Sequence, residues 1–396
     1  MVSERGWSDA KLGAVAQVDR AVVAPDRIPR GTRYIGLEHI AGDGTLVGVR
    51  VLDIGELRST KFAFSDRHVL FGKLRPYLRK VARPTFSGVC STDILAILPG
   101  PDLDRDFLYH SLRQPRIISL ATSRSEGANL PRLSPKALLD FPISLPPLAE
   151  QRRIAAVLDR ADAIRRKRRK SLLLVDELLR STFLELFGDP LRNEKGWEIG
   201  RFDSVIRSIQ PGSSVKEGDG TPGPADWAVL KISAVTSGQY LPNEAKVVRA
   251  PPERLVVPIR GDLLFSRANT RELVAATCIV DHDAPRVFLP DKLWKITPHA
   301  DVATVEYLKY LLTEPRFRKT LTRLATGTSG SMLNVSQDKF LRLRLPIPPF
   351  VLQKRFTKQV WKVYDIRAEC DQALNQSEKL FDSLAQQAFR GAVLDS

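Results

Sequence analysis

Cysteine is nearly absent from this chain. Only Cys90, Cys278 and Cys370 occur among 396 residues, far apart and without C-x-x-C spacing. An odd, sparse count excludes a disulfide framework and a cysteine zinc site. The five histidines, His39, His68, His110, His282 and His299, show no ligand spacing, so no metal is expected. No apolar run approaches the roughly 18 residues that span a bilayer. The opening MVSERGWSDAK has no apolar signal core. A soluble, cytoplasmic chain is expected. Catalytic signatures are missing too. There is no phosphate-cradling Walker loop, and no Asn/Asp-Pro-Pro-Tyr/Phe run of the kind that holds a flipped base in amino-methyltransferases. Tyr34-Ile-Gly36 lacks the Gly-Ile-Tyr half of a nuclease motif and reads as a buried strand. Glu244-Ala-Lys246 has the Glu-x-Lys form of metal-dependent nucleases without the preceding Pro-Asp. The expectation is a chain that is not an enzyme and binds no cofactor.

Positive charge is abundant. Lys and Arg number 61 against 45 Asp and Glu, a formal charge of +16. Cationic side chains that neutralise phosphates release counterions, so this excess favours a nucleic-acid partner over a merely basic soluble protein.

The chain is also written twice. Glu4-Arg5-Gly6-Trp7 recurs as Glu194-Lys195-Gly196-Trp197, and Leu12 and Val15 match Phe202 and Val205 at the same offset. Tyr34-Ile-Gly-Leu37 resembles Val229-Leu-Lys-Ile232, and Val69-Leu-Phe-Gly-Lys-Leu-Arg75 resembles Leu263-Leu-Phe-Ser-Arg267. Phe107 to Pro115 resembles Val305 to Pro315. The copies end on Phe141-Pro-Ile-Ser-Leu-Pro-Pro147 and Leu345-Pro-Ile-Pro-Pro349. Each copy mixes short β-rich runs with a helical stretch and reads as a compact α+β domain of ordinary size.

A long segment follows each Pro-Pro. Leu148 to Phe187 contains neither Gly nor Pro, and Ile154, Leu158, Ala161, Ile164, Leu172, Val175, Leu179 and Leu186 step at three and four. That is a helical period near 3.5, and Gly188-Asp-Pro190 stops it. Phe350 to Phe389 repeats the design with Phe356, Val360, Val363, Cys370, Leu380 and Leu384. A helix of about 38 residues runs roughly 57 Å. Neither stripe is buried by its own helix, so the two are expected to pack as an antiparallel coiled-coil pair. The predicted order is a first α+β domain at 1–147, a central helix at 148–188, a second domain at 189–347 and a last helix at 348–391. The internal repeat makes this a pseudo-two-fold design.

These boundaries carry a family resemblance. Pro146-Pro147-Leu148-Ala-Glu150-Gln151, followed by a basic helix, closely resembles the Pro-Pro-Leu-x-Glu-Gln start of the spacer helices in type I restriction-modification specificity subunits. Phe187-Gly-Asp-Pro190 resembles their exit from the central helix. In the second copy Pro348-Pro349-Phe350-Val-Leu-Gln353 keeps only the Gln of the Glu-Gln pair. Thr326-Gly-Thr-Ser-Gly-Ser-Met-Leu-Asn334 resembles the family's Gly/Ser loop, with Ser125-Glu-Gly-Ala-Asn129 a looser counterpart. The resemblance implies two tandem target-recognition domains that read a bipartite site in double-stranded DNA. It implies two modification subunits that methylate adenine with S-adenosylmethionine, and restriction subunits that translocate and cut using ATP and magnesium. The spacer helices would then carry the subunit interface.

Candidate DNA contacts follow from residue chemistry. Lys73, Arg75, Tyr77, Arg79 and Lys80 form a cationic run around an aromatic, matched in the second copy by Arg267, Asn269 and Arg271. Arg and Lys suit guanine edges or phosphate, and Asn suits adenine. Arg124, Asn129 and Arg132, with Thr328, Ser329, Ser331 and Asn334, lie in loops whose small polar residues permit close backbone approach to phosphate. Arg165-Arg-Lys-Arg-Arg-Lys170 is six cations inside a helix, and consecutive helical residues point all around the axis. Part of the run is open to DNA backbone, to solvent or to an acidic subunit surface. A self-contained nuclease and a coiled-coil adaptor without sequence readout remain the competing readings.

Overall fold

The two segments free of glycine and proline are each one unbroken helix, the central helix Leu148–Phe187 and the terminal helix Phe350–Phe389. The computed structural model describes residues 7–215, 218, 220–327 and 332–389. The chain divides into two units, residues 1–168 with 373–396, and residues 169–372. The chain therefore crosses between units twice, each time within a long helix.

In the first unit, strand Ser8–Lys11 pairs antiparallel with Pro142–Leu145, closing the domain's two ends on each other. A four-stranded sheet follows in the order Ala16–Asp19, Ile94–Pro99, Val69–Gly72, Val81–Ala82. Ile94 to Ile97 are all buried, because the strand is covered on both faces. Leu95 and Ile97 point into the core beneath helices Arg105–Leu112 and Pro115–Ser123. Ile94 and Ala96 face a second core under a five-stranded sheet, as the period of two in a strand requires. The second unit repeats this wiring. Glu198–Arg201 pairs with Arg344–Ile347, and the main sheet runs Ile206–Pro211, Leu293–Pro298, Leu263–Ser266, Thr277–Ile279. Its smaller sheet keeps the one parallel pairing of the first, Ala228–Leu230 with Val287–Phe288 in place of Arg33–Ile35 with Gly88–Cys90. The sequence repeat is thus a repeat of topology, and the fold is α+β in both units.

Each domain is pinned to its long helix by one buried glutamine. Gln151 accepts from the Asp104 N–H (2.8 Å) and donates to the carbonyls of Asp102 (2.9 Å) and Pro146 (2.8 Å). Gln353 accepts from the Thr304 N–H (3.0 Å) and donates to Val302 (3.0 Å) and Pro348 (2.8 Å). Only a side-chain amide supplies one acceptor and two donors at once. Glutamate at this place would set a carboxylate against two carbonyls. This explains why Gln survives in both copies while its Glu neighbour does not. Gln151→Leu leaves three backbone groups unpaired, at roughly 1–3 kcal/mol for each that stays dry. A loss of about 3 kcal/mol in urea unfolding is expected, and the same for Gln353→Leu. A loss below about 0.5 kcal/mol in both would refute the pin.

The helix pair follows the predicted stripe only in part. In the second unit Leu179, Phe183 and Phe187 pack against Phe356 and Val360, with Val363 partly buried beside them. In the first, Ile154, Ala155 and Leu158 share a core with Ala388, Phe389 and Leu384. Within each unit the paired segments run antiparallel: Arg168 meets Ala373 and Arg165 meets Phe381, while Asp176 meets Arg367 and Phe187 meets Phe356. Ile164 and Leu380 do not join the seam; they are 50% and 58% exposed. From Leu158 the buried face steps four to Asp162 and three to Arg165, passing Ile164 by. Phe381 takes the place expected for Leu380.

The first unit's seam is polar. Arg83 bridges Asp159 and Asp106, and His110 lies 2.7 Å from Asp159. Burial lowers the imidazole pKa of His110, against the pull of Asp159, so it is neutral at pH 7. Burial pushes the Asp159 carboxyl up, but His110 and Arg83 outweigh this and hold it at about 2. Both folded pKa values lie below their unfolded ones. The stability these groups supply is complete above the unfolded histidine value near 6.5 and is lost as pH falls, first through His110 and then, below about 4, through Asp159. Melting of the full chain should therefore fall between pH 7 and 5, and His110→Gln should flatten that slope. An equal slope in the variant would remove His110 as its source.

Candidate nucleic-acid interface

Strand Val69–Gly72 leaves the main sheet of the first unit into the cationic loop. Arg75 and Arg79 both adopt left-handed backbone (φ 51° and 56°) around a single 3-10 turn, Pro76–Leu78. Non-glycine residues rarely sit there, and hydrogen bonds hold them: the Arg75 N–H donates to Pro131 O and the Arg79 N–H to Pro76 O, both at 2.8 Å. The turn leaves Tyr77 51% and Leu78 42% exposed. The second candidate loop lies alongside. Leu74 bridges Arg132 in β fashion, and the Arg75 guanidinium donates to Asn129 O at 3.3 Å. Lys73, Arg75, Tyr77, Asn129 and Arg132 therefore belong to one surface, although more than fifty residues separate the two loops in sequence.

Three candidates contact other parts of the unit, Arg79 and Arg124 while exposed and Lys80 while half-buried. Arg79 donates to Arg113 O (3.2 Å), Lys80 to Leu37 O (2.6 Å), and Arg124 sits over the Phe141 ring at 5.6 Å.

The second unit builds the same surface with other residues. Strand Ala268–Asn269 pairs with Leu333–Asn334, and Asn334 bridges Thr326. Leu133 N–H donates to Lys73 O (2.9 Å) as Val335 N–H donates to Arg267 O (2.8 Å). This register sets Arg267 at the place of Lys73, Asn269 at that of Arg75, and Asn334 at that of Arg132. Arg267 donates to Asp291 O at 2.9 Å, Asn269 accepts from the Thr270 N–H at 2.8 Å, and Arg271 is exposed. Thr328, Ser329 and Ser331 lie outside the described residues.

A third strip completes each surface and had no sequence signal. The Lys73 N–H donates to Asp93 O (2.9 Å), and the Arg267 N–H donates to Lys292 O (3.0 Å). The Asp93 carboxylate accepts from Arg132 Nε at 3.0 Å. Neither residue belongs to a run or motif; only the fold brings them to the loops.

The six-cation run is largely structural. Arg165 is buried, paired with Asp162 and stacked over Phe381 at 4.1 Å. Arg166 pairs with Asp162 and approaches the Tyr109 hydroxyl at 3.4 Å, and Arg168 donates to Ala373 O. Among the described residues no group of three or more His, Cys, Asp or Glu is poised for a metal, and no helix is long and apolar enough to cross a membrane.

Two repeated α+β units, each carrying a loop surface with cationic side chains and each pinned to a long helix, define the architecture. Residues 76–174 match the family model of the type I restriction modification DNA specificity domain. It is 28% identical over 186 residues to the specificity subunit of the type I restriction enzyme EcoDI of Escherichia coli, covering 46% of this chain and 41% of that one. It is 24% identical over 308 residues to the EcoKI specificity subunit of Escherichia coli strain K12, covering 72% of this chain and 65% of the relative. These matches span less than two thirds of each relative. The fold agrees along the chain with the type I restriction-modification S subunit from M. genitalium, with TM-score 0.58, 14% identity and 98% and 97% coverage. It also agrees with a chain from a structural study of type I R-M complex assembly and conformational transition, with TM-score 0.53, 21% identity and 98% coverage of both.

Proposed function

We propose that this chain is the DNA-reading specificity subunit of a type I restriction-modification complex and has no catalytic site of its own. Each unit reads one part of a bipartite target in double-stranded DNA. Two modification subunits dock along the spacer helices and methylate adenine with S-adenosylmethionine, and restriction subunits add ATP- and magnesium-dependent translocation and cleavage. One observation carries this reading: the same three-strip loop surface is built twice, on equivalent backbone, from different side chains. A single binding function does not require that. Two readers of two different sequences do, because phosphate contacts position a protein while base-edge contacts specify its site.

The test is an exchange of residues 1–147 for the equivalent domain of a relative, followed by mapping of methylated adenines in the host genome. One half of the methylated motif should change and the other persist. A change in both halves together would defeat the two-reader assignment. DNA cleavage or methylation by the rigorously purified chain would defeat the non-catalytic one.

A further inference from the structure

The two units are an internal comparison: one backbone, two sets of side chains. At the third strip the comparison is at its sharpest. Asp93 and Lys292 occupy the same place. Each gives its backbone carbonyl to the first residue of the cationic loop, at 2.9 Å to Lys73 N and 3.0 Å to Arg267 N. Each directly precedes the central strand of its main sheet, Ile94–Pro99 or Leu293–Pro298. Two backbone-fixed positions thus present opposite charges beside loops of matching backbone. In the first unit the acid also holds Arg132, which bridges Leu74 on the candidate loop. In the second, the residue at the place of Arg132 is the neutral Asn334, and among the described residues the Lys292 ammonium makes no ion pair. A structural charge would be expected to keep its sign and its partner from copy to copy. This one keeps neither.

We propose that positions 93 and 292 are specificity-determining, the first as a carboxylate that accepts from a base-edge amine or aims Arg132, the second as an ammonium that donates to guanine O6 and N7. A carboxylate suits the cytosine N4 amine and a lysine suits guanine, so the two positions select different bases from the same seat. Asp93 is a positioning residue where it acts through Arg132; Lys292 contacts the base directly. The inference rests on the reading of the chain as a DNA-specificity subunit.

The experiment expresses full-length chains in the host and maps the methylated motif. Deleting the chain first tests the underlying reading, since a motif that persists without it defeats that reading alone. Lys292→Asp and Lys292→Gln should alter or relax one base position in one half of the motif, with roughly tenfold or greater loss of discrimination there. Asp93→Asn should do the same in the other half only. A wild-type motif in all three variants overturns the proposal. So does an unchanged motif with uniformly reduced methylation, which marks a phosphate contact. Should Asp93→Asn melt early through the loss of its Arg132 pair, the Lys292 variants carry the test, because no described ion pair depends on them. Should methylation vanish, binding selection of the purified chain on DNA randomised in one half decides: a changed or relaxed base supports the assignment, and recovery of the wild-type half-site overturns it.

Discussion

Asp162→Ala is expected to destabilise the first unit by about 3–5 kcal/mol. Asp162 is 3% exposed and accepts from both Arg165 and Arg166. Arg165, also buried, has its guanidinium carbon over the Phe381 ring of the terminal helix, 4.1 Å from its centroid. Removing the carboxylate leaves the buried Arg165 guanidinium without its charge partner, which is the costly way to break a buried pair. Replacing both partners with apolar residues of similar volume, as in Asp162→Leu with Arg165→Met, removes the desolvation problem and should come close to neutral or stabilising. Urea unfolding of the full chain and the two variants checks this. An Asp162→Ala chain as stable as the wild type would show that Arg165 finds water, and the seam would not be an ionic one.

Lengthening both long helices by four residues, after Arg168 and after Gln372, is expected to move the two parts of the DNA target apart by one or two base pairs. These are the two places where the chain passes between units. Each unit keeps its own helix–helix contacts, including Arg165 on Phe381 and Phe187 on Phe356. Four residues add about 6 Å at ~1.5 Å per residue, which is nearly two base pairs at about 3.4 Å each. Under the proposed two-reader function, methylation of the original target should then be lost. A new motif should replace it, with both half-sites intact and a longer unread gap. Inserting into the central helix alone, within the Asp162–Arg165 segment, would instead break the buried pair and confound spacing with stability. An active paired insertion that keeps the original gap would show that the helices are not the ruler.

Much of this was legible in the chain itself. The segments after Pro147 and Pro349 read as long helices, because their apolar residues step at three and four and no Gly or Pro interrupts them. The recurrence of Trp7 as Trp197, and of the Phe141 to Pro147 ending at Leu345 to Pro349, announced the duplicated topology. Local alternation and helical stepping are written residue by residue, so the elements and their order follow from sequence. The lack of phosphate loops, metal spacing and base-holding motifs set the expectation of a binding role in the same way.

Tertiary structure decided which polar residues work inward and which outward. The cation run Arg165 to Lys170 read as surface charge, yet the helix face fixed by Leu158 turns Arg165 into the seam, where Asp162 and Phe381 receive it. Ile164 and Leu380 obeyed the apolar stepping and still lie outside, because a one-residue shift rotates a helical side chain by about 100°. Arg79 and Lys80 matched Arg75 in composition, but the fold sends them to the carbonyls of Arg113 and Leu37, while Arg75 reaches the carbonyl of Asn129 on the second candidate loop. Asp93 and Lys292 had no sequence signal at all. Their place beside the loops comes from hydrogen bonds that extend the pairing of two inner strands of each main sheet, a relation between distant segments that no local pattern encodes.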